Sequence, residues 1–97
     1  MAIDFDAVKK EAIRFADMVR SVMEVDRVIL FGSYANGTAG ESSDVDIAVF
    51  VGDHMIRRRR EIGGELCNMT RYFDIDIEPH VIPSAAIKKA VSSHKRY

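Results

Sequence analysis

The chain has 97 residues, 47% of them hydrophobic and 30% charged, a composition that suits one small domain over 1–97 and excludes a disordered tail. Fourteen Lys and Arg against fifteen Asp and Glu leave a net charge of −1, which disfavours a protein that grips long nucleic acid by bulk charge. No apolar run reaches the ~18 residues of a membrane span, acids stand where a signal peptide carries bases, and the single cysteine excludes a disulfide framework, so a cytoplasmic protein is expected.

The spacing of Phe5, Val8, Ala12, Phe15, Val19 and Val22 predicts an amphipathic helix over Asp4–Glu24, with Asp4 or Asp6 available as its cap. Val25–Phe31 reads as a strand whose run Val28, Ile29, Leu30, Phe31 suits burial on both faces. Gly32–Ser43 is a loop, holding three of the six glycines. Val45–Val51 is a second strand, stopped by Gly52 and Asp53. His54–Tyr72 reads as a second helix burying Met55, Ile56, Ile62, Leu66, Met69 and Tyr72 or Phe73, with a kink expected at Gly63 and Gly64. Phe73–Ile82 alternates, Phe73, Ile75 and Ile77 on one face and Asp74, Asp76, Glu78 and His80 on the other, with Pro79 marking an edge or a bulge. Pro83 and Ser84 open a last helix to about Ser92. The order α-β-β-α-β-α is α+β: a small mixed sheet with helices packed on one side.

The chemistry concentrates around Gly32 and Ser33, followed after ten residues by Asp44-Val45-Asp46. A glycine and a small hydroxyl residue at a strand end let backbone N–H groups approach an anion closely. Asp44 and Asp46, two apart on a strand, leave the same face ~7 Å apart along it. Carboxylates so placed repel each other unless a cation lies between them, and Mg²⁺, which takes oxygen ligands, is the obvious occupant. The row Asp74, Asp76 and Glu78 supplies a third carboxylate if its strand lies beside the second one.

The stretch Phe31-Gly32-Ser33 to Asp44-Val45-Asp46-Ile47-Ala48-Val49, with its ten-residue gap, resembles the signature of the minimal nucleotidyltransferases in the DNA polymerase β-like superfamily. The amphipathic first helix, the strand before Gly32 and the later acidic strand stand in the same order as in that family. The resemblance implies a polymerase β-like fold, with Gly32 and Ser33 binding the nucleotide phosphates. It implies that Asp44 and Asp46 hold divalent metal, in a two-metal Mg²⁺ site. It maps the third carboxylate to the acidic row. Asp76 fits that role best, as metal ligand and as base or orienter for the acceptor; Asp74 and Glu78 share its face. The implied reaction is attack by a hydroxyl on the α-phosphate of a nucleoside triphosphate, ATP by default, releasing pyrophosphate. The sequence departs from many relatives in carrying Tyr34 and Asn36, not arginine, at the start of the loop.

So small a domain leaves little surface to enclose an acceptor, which points to an acceptor site supplied by another polypeptide. The resemblance implies such a partner, since minimal nucleotidyltransferases are often paired with a HEPN-domain protein as a toxin–antitoxin module, some moving AMP onto a tyrosine of the toxin. The alternative is a binding module of the same fold that acts by contact without chemistry. The intact Ser33, Asp44 and Asp46 favour the enzyme. Oligomeric state stays open. Arg57–Arg60 read as a solvated helix face, with a patch for a partner or polyanion as the alternative; His54, His80 and His94 read as surface residues, His80 sharing the acidic row's face and so able to touch a substrate; Cys67 reads as a packed thiol, and Met18, Met23, Met55 and Met69 as core filler.

Overall fold

The computed structural model describes residues 5–32 and 44–86. The loop expected over Gly32–Ser43 lies outside the described residues except for Gly32, and so does the part of the expected last helix after Ala86. Helix α1 spans Phe5–Val22 and buries Val8, Ala12, Phe15, Ala16 and Val19. The three- and four-residue steps therefore place the stripe where the sequence put it, although Phe5 and Val22 at its ends are exposed. Asp6 in the first turn and Arg20 in the last complement the helix dipole.

Strands β1 (Arg27–Phe31), β2 (Val45–Val51) and β3 (Ile77–Pro83) form a mixed sheet in the order β1-β2-β3. β1 runs antiparallel to β2, and β3 parallel to it. Val45, Ile47, Val49 and Val51 of β2 share one face with Ile77 and Val81 of β3, and these join α1 residues, Ile62 and Leu66 in the core. Ala48 and Phe50 point the other way and are also buried, at 3% and 0% exposure. The strand covered on both faces is thus β2, the central one. β1, whose apolar run suggested this, is half-buried along most of its length because it has one neighbour among the described residues.

The second predicted helix is divided. α2 (Asp53–Ile56) ends in a turn at Arg57 and Arg58, α3 runs Arg59–Met69, and a 3₁₀ turn follows at Thr70–Tyr72. The break falls at Arg58, which leaves helical geometry (φ −95°, ψ 19°), and not at Gly63 and Gly64, which lie inside the continuous α3. Arg58 closes the gap by donating from Nε to Glu61 Oε2 at 2.9 Å. That bond and the guanidinium charge hold the Glu61 carboxyl below its usual range, and Glu61 raises Arg58 in turn. Both groups lie in solvent, so the pair adds little stability. What it adds is present above the ordinary glutamate range and lost as pH falls through the lowered value. All four arginines are exposed, as a solvated face requires. Cys67 is also exposed, which corrects its assignment as a packed thiol: the buried stripe of α3 is Ile62 and Leu66, with Met69 partly buried, and Cys67 lies off it.

β3 begins at Ile77, four residues later than the alternation suggested. Phe73 is instead drawn into the core, its ring meeting Phe15 edge-on at 5.6 Å with Arg14 over it at 5.3 Å. The Val45 amide donates to the Asp76 carbonyl at 2.7 Å, so the even-numbered amides of β3 turn toward β2 and the odd ones turn outward. Pro79, which has no amide hydrogen, falls on the outward side of β3, an edge strand among the described residues, and costs the ladder nothing. Ser84 starts a 3₁₀ turn at Ser84–Ala86, and its hydroxyl donates to the Asp26 carboxylate, tying the end of β3 to the segment before β1.

Neither Gly63 nor Gly64 has anything within 4 Å of where a Cβ would stand. Gly64→Ala is therefore expected to raise the unfolding free energy by about 0.5–1 kcal/mol by removing glycine's excess freedom from the unfolded chain. Thermal denaturation read by circular dichroism checks it, a rise of roughly 2–8 °C in Tm being expected.

Candidate active site

The site lies on the sheet face opposite the α1–α3 core. In register across the sheet stand Phe31 of β1, Asp46 of β2 and Glu78 of β3, and the next row on the same face is Ile29, Ala48 and His80. Asp46 is the one interruption in the buried series of β2, its side chain 25% exposed. His80 reaches diagonally to it, Nε2 3.3 Å from Asp46 Oδ1, and the imidazole packs edge-on against the Phe31 ring at 5.2 Å.

β1 ends at Gly32, which takes a left-handed conformation (φ +79°) and passes directly over the Asp46 side chain. A Cβ at this position would run into the Asp46 carboxylate. Glycine is required twice here, once for the positive φ and once for the close approach. The residue expected to bring backbone N–H groups close to an anion is thus also the one that touches the carboxylate.

Asp46, Glu78 and His80 bring one ligand atom each within 4.8 Å of one another, the one such trio among the described residues. Asp44 and Asp76 are not part of it. Each is exposed and stands one residue before its strand begins, Asp44 ahead of Val45 and Asp76 ahead of Ile77, and these two strand residues face each other in register. Asp74 is exposed in the bend before β3. Ser33 lies outside the described residues. The residue that sequence reasoning undervalued is His80, read as a surface histidine. The signal was its parity with Asp76 and Glu78, which puts it on their face of the strand; its distance to Asp46 depended on the β2–β3 register.

A glycine turn laid over a carboxylate, beside acids on two parallel strands, suits a protein that handles phosphate and divalent metal. A family model described as a nucleotidyltransferase domain matches residues 9–96, and the chain belongs to that family. A candidate protein adenylyltransferase of Methanocaldococcus jannaschii is 39% identical over 57 residues. That segment is 58% of this chain and spans 58% of the relative's length. The crystal structure of a candidate nucleotidyltransferase from Sulfolobus solfataricus shares the fold, with a TM-score of 0.62 over 92% of this chain and 82% of that one, at 16% identity. The small α+β architecture, a three-stranded mixed sheet with helices, is thus shared with that nucleotidyltransferase structure and agrees with the polymerase β-like fold that the resemblance implied. No helix among the described residues is long and apolar enough to cross a membrane.

The divalent metal that the family implies suits the donor set, since Asp46 and Glu78 offer carboxylate oxygens to one region of space. Gly32→Ala is expected to lower stability by about 1–3 kcal/mol, from the forced left-handed backbone and the displaced carboxylate. Denaturant titration of the two proteins measures the loss, and an unchanged midpoint contradicts the close approach.

Proposed function

We propose that this chain is a metal-dependent nucleotidyltransferase that moves AMP from ATP onto a hydroxyl of a partner protein, a HEPN-type protein by family resemblance. The observation that carries the proposal is the Gly32 turn over Asp46 at the head of the acidic face. The nearly full-length family match and the relative named for protein adenylylation support it.

In this reading the backbone at Gly32 and Ser33 holds the phosphates, since a residue without a side chain lets N–H groups come within hydrogen-bond reach. Asp44 and Asp46 hold the divalent metal with Glu78, the third-strand carboxylate in register with Asp46. When bound, Mg²⁺ neutralises phosphate charge and lowers the pKa of the attacking hydroxyl. The acceptor oxygen forms a bond to the α-phosphorus as the bond to pyrophosphate breaks. Asp76, exposed just before β3, takes the acceptor's proton or orients its hydroxyl.

Calorimetric titration of ATP with and without Mg²⁺ is the direct check, run beside Asp46→Asn. Binding that needs both the metal and Asp46 is expected; binding of equal strength in the variant sinks the proposed site. With the partner present, Asp76→Asn is expected to slow AMP transfer by about 10²–10⁴-fold while ATP binding changes little. If Glu78→Gln shows that pattern and Asp76→Asn does not, the proton passes through Glu78.

A further inference from the structure

We infer that His80 is a nitrogen ligand to the metal held by Asp46 and Glu78, and that it makes the site prefer a first-row transition cation such as Mn²⁺, which accepts nitrogen more readily than Mg²⁺ does, over Mg²⁺. This rests on the metal dependence proposed above and extends it to the identity of the ion. The family resemblance assigned only carboxylates to the metal; the geometry adds an imidazole.

Three observations converge. Asp46, Glu78 and His80 place their ligand atoms within 4.8 Å of one another, although they come from two strands. The separation of His80 Nε2 and Asp46 Oδ1 is 3.3 Å, long for a hydrogen bond between these groups. Neighbouring ligands on a six-coordinate ion with bonds of ~2.1 Å lie roughly 3 Å apart, so little movement is needed for both atoms to share one cation. The imidazole is also held in place: the Phe31 ring packs on it and the side chain is 38% exposed, so part of its ordering cost is met before any ion arrives.

The chemistry of the donors then decides the ion. Two carboxylates alone suit Mg²⁺, which prefers oxygen and keeps its water. An imidazole nitrogen adds little for Mg²⁺ and more for first-row transition ions, whose affinity for nitrogen ligands is higher. Nε2 binds a metal with its lone pair when the ring proton sits on Nδ1.

The test uses the full chain, free of nucleotide, titrated with Mn²⁺ and separately with Mg²⁺ by calorimetry, and examined with Mn²⁺ by pulsed electron paramagnetic resonance. The wild type is expected to bind Mn²⁺ more tightly than Mg²⁺ and to show the modulation of a directly bound imidazole nitrogen. His80→Gln, its folding verified by its melting curve, is expected to lose that modulation and about tenfold or more in Mn²⁺ affinity, with Mg²⁺ affinity nearly unchanged. Mn²⁺ bound in the wild type without nitrogen coupling, or coupling that survives in His80→Gln, overturns the assignment and leaves the metal-dependent reading standing. If Asp46→Asn binds either ion as the wild type does, or if the wild type binds neither ion, both readings fall.

Discussion

The passage of the Gly32 backbone over the Asp46 carboxylate couples the sheet to the site. Phe31 stands opposite Asp46 in the antiparallel pair, so the residue that follows Phe31 must leave the sheet beside that carboxylate. Only a residue without a Cβ does so at φ +79° without collision. Slipping the pairing by one residue would turn Asp46 into the core and Ile47 out of it, exchanging a half-buried carboxylate for a fully buried one. The cost of burying that charge holds the register, and the register holds the site.

Both faces of β2 are occupied, and to different ends. Four residues, Val45, Ile47, Val49 and Val51, anchor the strand against the helices. Phe50 and Ala48 fill most of the other face, leaving Asp46 at its end between Phe31, Glu78 and His80. A carboxylate beside an aromatic ring and partly out of water interacts more strongly with a cation than one in open solvent, because the local dielectric is lower. The same strand therefore supplies the core's rigidity and the position of the charge.

The periodic elements were legible because their signals are local. Steps of three and four residues gave α1 its buried stripe, and the β-branched run gave β2. Glycine context, by contrast, misled in α3, where Gly63 and Gly64 continue the helix because its hydrogen bonds and the burial of Ile62 and Leu66 outweigh the roughly 1 kcal/mol that each glycine costs. The break came where the chain must turn between α2 and α3, at arginines whose helix propensity gave no warning. Phe73 and Ile75 read as strand residues by alternation, yet Phe73 packs on Phe15 before the strand begins. Cys67 read as buried from its apolar neighbours, and a helical step off the Ile62–Leu66 stripe put it in solvent.

By itself the sequence determined the first helix, the central strand with Asp46 in it and the glycine at the end of β1, because each depends on residue chemistry and short spacing. It also grouped Glu78 and His80 on one strand face by parity, although the strand begins at Ile77 and leaves Asp74 and Asp76 ahead of it. Tertiary structure decided which of them meet Asp46. That choice depends on the parallel register of β2 with β3, set by the segment that carries the chain from Val51 to Ile77 and by the packing of Val81 and Ile77 beneath. A register that joins strands 25 or more residues apart leaves no trace in local pattern, so Glu78 and His80 came to Asp46 only when the core was built.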